Sequence, residues 1–456
     1  VDTVRSINPH APGDLVAEIP ATPVAEFERL TDSAAKAGAA WAALTAVERG
    51  VALTKVAEDL ATELDTVAHL ASREVGKPIA EARAEVVRTE RIFRYFAQAV
   101  LFPDGDMLPA NNGDGLMFTR RAARGVVGLI TPWNFPLAIP AWKLAPALAW
   151  GNAVIFKPAS QAIGTAAALT EIINRHLPAD VLTLVAGPGT GSLVTASRAI
   201  SAVSFTGSTA VGRQVVATVS ARGGVAQAEM GGQNASVVLA DANLDSAVAA
   251  ITGSAFAYAG QKCTATSRII AEEAVYDEVR DALVERIAKL VVLDPADPAC
   301  QVGPVIDHAS RDAAALAVKA STGRVLSGGV VMDAPGSYLW PTLVEVGDTA
   351  DILVTDEVFA PVAALQRASS PSHALDLANA GQYGLTAAVY TGDLAAAVDY
   401  AARLEVGMVR VNAPTTGLDY WAPFGGTKES SYGPREQGLA ARDFYTESRT
   451  ISLNPR

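Results

Sequence analysis

Cysteine is nearly absent: only Cys263 and Cys300 occur in 456 residues, too few for a disulfide framework and suited to a reducing compartment in which a free thiolate survives. A basic excess is absent as well. With 36 Lys and Arg against 48 Asp and Glu, the formal net charge is −12, so the cationic footprint of a nucleic-acid or anionic-membrane binder is not expected. Long apolar runs are missing. Val126 to Thr131 and Leu137 to Trp150 are broken by Pro, Asn or Lys well short of a bilayer's width. The opening Val1-Asp2-Thr3-Val4-Arg5 is not followed by the apolar core of a signal peptide. The expectation is a cytoplasmic protein with no membrane partner. No internal repeat or low-complexity segment is present. Apolar material is plentiful at half of all residues, in a chain long enough for about two or three domains.

Cys263 lies in Gly260-Gln261-Lys262-Cys263-Thr264, and two other segments supply what a cysteine acting on a carbonyl needs: Pro132-Trp133-Asn134-Phe135-Pro136 and Glu229-Met230-Gly231-Gly232. A thiolate adding to an aldehyde creates an oxyanion, for which the Asn134 side-chain amide is a donor. A carboxylate such as Glu229 activates the water that releases the resulting thioester. Each residue alone has an ordinary reading: a lone cysteine is usually a small apolar core residue, Asn134 a turn residue, Glu229 a strand-end carboxylate. Their coincidence resembles the NAD(P)-dependent aldehyde dehydrogenase superfamily, and the likeness runs from about Asn8-Pro9 to Thr450. Cys300, in Asp297-Pro298-Ala299-Cys300, has no partner group near it in sequence and reads as structural.

From Val24 to about Val100 apolar residues recur with helical spacing, as in Phe27, Leu30, Ala34, Ala37 and Trp41, with a break at Gly76-Lys77-Pro78. Short β-prone runs then alternate with helical ones. Val126 to Thr131, Ala153 to Phe156, Val181 to Val185, Ala202 to Phe205 and Val225 to Glu229 read as strands. Trp142 to Trp150, Gly164 to His176, Gly191 to Ala196 and Thr209 to Ala221 read as the helices between them. A second series of strands runs through Ala235 to Leu239, Ser267 to Ala271, Ile352 to Thr355, Ala387 to Tyr390 and Met408 to Val411, with helices such as Leu244 to Tyr258 and Val275 to Val291. The alternation predicts an α/β fold with two parallel-sheet domains. The crossing between them falls at Gly231-Gly232-Gln233, which sets Glu229 and Cys263 on opposite sides of a cleft. Met107 to Arg124, with Asn111-Asn112-Gly113-Asp114-Gly115 as its turn, and Ser448 to Leu453 read as further strands. The resemblance implies that these form a small β extension used for assembly, as a homodimer or homotetramer. The expected division is a dinucleotide-binding domain over residues 1–105 and 125–232, a catalytic domain over 233–435, and the extension over 106–124 and 436–456.

Phe205-Thr206-Gly207-Ser208-Thr209-Ala210-Val211-Gly212 follows a strand and opens a helix, so backbone N–H groups about Gly207 and Ser208 are placed to face a pyrophosphate. The string is not GxGxxG; it resembles the family's variant with glycines five apart. Gly189 of Gly187-Pro188-Gly189, at another strand end, reads either as a border to the adenine or as a plain loop. The family resemblance implies cofactor contacts at Trp133, Phe205, Gly212 and Gly231. It also implies them at Glu357 and Phe359 of Glu357-Val358-Phe359-Ala360-Pro361, with Glu357 on the nicotinamide ribose. Ala360 stands where glycine is usual, adding a methyl group and restricting the backbone. Lys157-Pro158-Ala159-Ser160 marks the adenosine ribose. Ser160 replaces the glutamate common in NAD-preferring members and Lys157 supplies a cation, so a 2′-phosphate is tolerated and NADP is expected beside NAD. No metal is expected. Pro423-Phe424-Gly425-Gly426 with Lys428 and Ser430 completes the likeness.

The reaction implied is NAD(P)-dependent oxidation of a small aldehyde to its carboxylate without CoA, because Glu229, typically missing from CoA-acylating members, is present. The strings around Cys263 and from Pro423 to Gly438 resemble 2-oxoglutarate semialdehyde (2,5-dioxopentanoate) dehydrogenases. Succinate-semialdehyde dehydrogenases often carry an arginine six positions before the nucleophile, where this chain has Ala257; the sequence names no residue for a substrate carboxylate. Tyr420-Trp421 leaves open an aromatic or other uncharged aldehyde. A non-catalytic binding protein with the same fold is the reading from a different class, and the presence of all three catalytic positions argues against it.

Overall fold

The computed structural model describes residues 2–111 and 113–454; Val1, and Asn112 of the expected turn, lie outside the described residues. The chain opens on a hairpin that sequence patterning missed, β1 (Thr3–Ile7) antiparallel to β2 (Leu15–Pro20). The helical layer follows as α1 (Phe27–Ala43), α2 (Ala46–Thr62), α3 (Leu64–Val75) and α4 (Ile79–Ala99). Thr45 starts α2 with a reciprocal cap, its hydroxyl accepting the Glu48 N–H while Glu48 accepts the Thr45 N–H. The break after α3 comes where expected, at Gly76, whose φ of 70° suits a residue without Cβ.

After β3 (Met107–Leu108) and β4 (Leu116–Ala123) the first α/β unit runs β5 (Val126–Thr131), α5 (Ala138–Ala149), β6 (Ala153–Pro158), α6 (Ile163–Asn174), β7 (Leu182–Leu184), α7 (Thr190–Ala196), β8 (Ala202–Thr206), α8 (Thr209–Ala221) and β9 (Val225–Glu229). These strands lie in the order β9-β8-β5-β6-β7, all parallel. Alternate residues of β5 go to different cores: Val127 and Leu129 to one face, Val126 and Ile130 to the other. Both faces are covered, which is why the strand carries no polar side. The helix expected from Trp142 begins earlier, at Ala138. Pro140 is tolerated in its first turn, and the buried Glu85 carboxylate accepts the N–H groups of Leu137 and Ala138 at 2.9 Å each, placing negative charge at the helix N-terminus.

The second unit comprises β10 (Asn234–Val238), α9 (Leu244–Phe256), β11 (Thr266–Glu272), α10 (Tyr276–Ile287), α11 (His308–Ala320), β12 (Arg324–Ser327), β13 (Thr342–Glu345), α12 (Ile352–Thr355), β14 (Val362–Ala368), α13 (Pro371–Asn379), β15 (Tyr383–Gly384), β16 (Thr386–Tyr390), α14 (Leu394–Arg403) and β17 (Met408–Val411). Its seven-stranded sheet has the order β12-β13-β14-β11-β10-β16-β17, parallel except for β12 against β13. Ile352–Thr355, expected as a strand, is a helical turn: Asp351 accepts the Leu353 N–H and caps it. A four-residue apolar run carries no period that separates the two states.

The chain then returns to its beginning. β18 (Thr427–Lys428) pairs with β15, and β19 (Ser431–Tyr432) adds antiparallel to β9 at the edge of the first sheet. After α15 (Ala441–Tyr445), β20 (Thr446–Leu453) pairs with all of β4, from Thr446 opposite Ala123 to Leu453 opposite Leu116. Contact with the first sheet is thus resumed before residue 436. Among the described residues no helix is long and apolar enough to cross a membrane.

Candidate active site

Between the two sheets lies a cavity of about 320 Å³. One wall is made by loops at the carboxyl ends of β5, β8 and β9, with Trp133, Asn134, Gly207, Ser208 and Gly231; the other carries Cys263, Glu357 and Phe359. The cavity thus brings together most of the residues read from sequence.

Cys263 is reached from α9 through a left-handed stretch. Tyr258, Ala259 and Gly260 have φ of 53°, 52° and 67°, a conformation that costs the two non-glycine residues energy. A Cβ at position 260 would collide with the Ala360 carbonyl, so glycine is required there. Gln261, fully buried, accepts the Ile306 N–H at 2.8 Å. Asn234, at the start of β10, donates to the carbonyls of Cys263 and Ala265 at 2.8 Å each. The thiol therefore sits on a loop tied down on both sides. Burial, followed by the carboxylates of Glu357, Glu229 and Glu436, pushes the Cys263 thiol well above its usual value, so the resting form is the neutral thiol.

Asn134 is 3% exposed and donates through Nδ2 to the Gln261 carbonyl at 2.9 Å. The second hydrogen on Nδ2 has no protein acceptor among the described residues, and Oδ1 is buried without a partner. Glu229, also 3% exposed, does not line the cavity. Its Oε2 accepts the Ser431 hydroxyl at 2.6 Å, and Oε1 is buried without a partner. Ser431 is itself held, accepting the Gly426 N–H at 2.6 Å. Burial and the neighbouring Glu436 raise Glu229 well above the ordinary carboxylate range, against the lowering effect of Ser431. Glu436 is engaged by Lys143 and by the Trp142 indole N–H at 2.7 Å. Ser431, Asn234 and the Lys143–Glu436 pair were not picked out as functional from sequence, although Ser431 and Glu436 lie inside the string that carried the family likeness.

The residues read from sequence as cofactor contacts divide into those on the cavity and those away from it. Glu357 accepts the Gly232 N–H at 2.9 Å and is pushed up to about 7, mainly by burial; a Cβ on Gly231 would strike this carboxylate. Phe359 is left-handed at φ 53° and meets Trp133 edge to face with ring centroids 5.7 Å apart. Ala360 has no positive φ, so its methyl group imposes no backbone strain. Ser208 is the extended residue ahead of α8 and makes no side-chain cap bond. Phe205 and Gly212 lie beneath this loop: a Cβ on Gly212 would come within 2.5 Å of Met230 Sδ, and one on Gly207 within 2.6 Å of the Phe205 ring. Lys157, Ser160 and Gly189 stand outside the cavity, at the carboxyl ends of β6 and β7. The Lys157 ammonium is lowered by burial and has no partner among the described residues, Ser160 is exposed, and Gly189 has φ 79° with open space where a side chain would be.

A model of the aldehyde dehydrogenase family matches residues 2–451. An alpha-ketoglutaric semialdehyde dehydrogenase of Bacillus subtilis is 37% identical over 100% of this chain and 95% of its own length. The fold matches betaine aldehyde dehydrogenase from Staphylococcus aureus in complex with NAD+ at a TM-score of 0.96, with 28% identity and coverage of 100% of this chain and 93% of that one. An Escherichia coli NADP dependent enzyme also matches at 0.96, with 31% identity and coverage of 100% and 95%. On a match spanning nearly every residue, and with cysteine and amide on one cavity and the carboxylate one residue from its lining, this chain belongs to the aldehyde dehydrogenase family.

Proposed function

We propose that the protein oxidises a semialdehyde, 2,5-dioxopentanoate or a close relative, to the dicarboxylate with NAD or NADP and water. One observation carries the chemistry: Cys263 and Asn134 share a cavity, and Glu229 ends the strand that runs directly into its Met230–Gly231 wall. The name and identity of the Bacillus relative favour the semialdehyde.

The residues fit the dinucleotide. Glu357 is a buried carboxylate beside a glycine that leaves it room, the start of α8 presents unbonded N–H groups, and Lys157 is a cation without a counter-ion. When bound, the nicotinamide supplies the acceptor for the hydride that leaves the substrate carbon. The protein does the rest. Cys263 gives its proton to solvent water and its sulfur bonds to the aldehyde carbon, while Asn134 Nδ2 and the Cys263 backbone N–H stabilise the oxygen. After oxidation the carbon is a thioester. Glu229 turns from Ser431 and takes a proton from water; the water oxygen attacks the thioester, the C–S bond breaks, and the carboxylate departs. A raised carboxylate is the stronger base for this work.

The test is reduced cofactor formed from 2,5-dioxopentanoate by the parent, with loss of at least about 10⁴-fold in Cys263→Ala while cofactor binding survives. Turnover by the alanine variant overturns the mechanism. Faster turnover of benzaldehyde than of the semialdehyde moves the substrate to the uncharged class. We place the reaction in the cytoplasm, where a free thiol persists. We also assign a homodimer or homotetramer, since Met107, Leu116 and Leu453 expose apolar surface on the β3-β4-β20 sheet.

A further inference from the structure

We propose that Arg88, with Gln437 beside it, anchors the carboxylate at the far end of the substrate. The proposal rests on the semialdehyde reading above and deepens it. A semialdehyde keeps a full negative charge away from its reacting carbon, and an enclosed site must meet that charge with a cation or hydrogen-bond donors. Ala257, six residues before the thiol, supplies neither.

Helix α4 does. Glu81, Glu85 and Arg88 recur at helical spacing on one face. Glu81 pairs with Lys262, the residue before the nucleophile, at 2.8 Å. Glu85 accepts the first N–H groups of α5, just beyond Asn134. One turn further on, Arg88 Nη2 donates to the Leu418 carbonyl at 2.7 Å. Leu418 and Cys263 both pack against the cluster of Leu385, Met408 and Phe424. This face of α4 therefore leads from the nucleophile loop to the apolar wall near the thiol.

The bonding at Arg88 is incomplete. The side chain is largely withdrawn from water, yet among the described residues it makes no ion pair, and its Nε is buried without an acceptor. Gln437 is 0% exposed, and its Nε2 likewise has no acceptor; its Oε1 lies 3.5 Å from Arg88 Nη2. Glu85 is committed to Lys77 and α5, and Asp419 is exposed and makes no bond to Arg88. Two adjacent buried donors without acceptors are costly in the free protein. A carboxylate, which only accepts, relieves both, and the planar guanidinium edge matches its two oxygens.

The experiment compares kcat/KM for 2,5-dioxopentanoate with kcat/KM for pentanal, which has the same chain length and no charge, in the parent, Arg88→Met and Arg88→Lys. The parent ratio should lie well above one. Arg88→Met lowers it on the order of 100-fold, mainly through KM for the semialdehyde, and Arg88→Lys, which keeps the charge but not the planar fork, by roughly 10-fold. Should the methionine variant fail to fold, the lysine variant carries the test. An unchanged ratio in the folded variants overturns the role of Arg88 and leaves the semialdehyde reading standing. A parent ratio at or below one overturns that reading, and the anchor with it.

Discussion

The chemical cavity and the region read for the adenosine end of the cofactor are built on different physical terms. At the chemical end Asn134 and Glu229 are almost fully buried, and each is held by a group that is itself held: Asn134 by the Gln261 carbonyl, Glu229 by Ser431 on the Gly426 N–H. At the far end Ser160 and Gly189 are exposed, and Lys157 has no partner among the described residues. In the buried region the low local dielectric makes one proton or one hydrogen bond decisive. At the open end water and salt screen contacts at Ser160 and Gly189, while the partly buried Lys157 ammonium is screened less, so changes there tune selectivity without disabling the reaction.

The largest test of this contrast is Glu229→Gln. The substitution keeps size and a hydrogen-bonding side chain but removes the base, so acylation of Cys263 outruns hydrolysis. We expect a burst of reduced cofactor followed by steady-state turnover slower by about 10²- to 10⁴-fold, the usual worth of general base catalysis. Rapid-mixing measurement of the burst checks this. Turnover equal to the parent would remove Glu229 from the deacylation step and with it the claim that the buried end governs rate.

Legibility in sequence follows the same division. Cys263, Asn134 and Glu229 stood out in the sequence because the chemistry proposed for them admits few residue types, and each sits in a short string bounded by Gly or Pro. Parallel strands were readable as apolar runs; β5, β9 and β17 match their expected spans. The supports were not readable. Ser431 reaches Glu229 across 202 residues of sequence, and Asn234 and Glu85 act on backbone groups, which leave no pattern of their own. Phe205 and Gly212 belong to the string read as nucleotide-binding, but the structure shows them packing under the loop with Met230. The hairpin β1–β2 and the strands β12 to β14 were missed because short strands with weak alternation offer little period to detect.

A middle-sized effect is expected at the open end. Ser160→Glu sets a carboxylate near the site read for the 2′-phosphate, beside Lys157, while leaving NAD free of repulsion. The parent should use NADP at least as well as NAD, and the variant should lose NADP selectivity by roughly 10-fold, an effect that shrinks as salt is added because position 160 is exposed. kcat/KM for both cofactors at two ionic strengths measures it. Equal losses for the two cofactors, or a salt-independent change, would mean that the far end is closed and desolvated after all, and the contrast drawn here would fail.

The smallest effect sharpens the contrast most, because it probes a support rather than a reacting group. Ser431 donates to Glu229 and lowers its pKa, opposing burial and the repulsion of Glu436. In Ser431→Ala that opposition is lost, so the carboxylate of Glu229 rises further. A general base works only when deprotonated, so the acid limb of kcat moves to higher pH: activity falls on the acid side and returns as pH rises. The acid-side loss should be on the order of fivefold, the worth of one ordinary hydrogen bond, with the alkaline plateau little changed, and Ser431→Thr, which keeps the hydroxyl, should restore the parent profile. A limb that stays put, or shifts toward lower pH, would show that Ser431 merely packs against the strand edge and that the buried end is not held in the layered way its hydrogen bonds suggest.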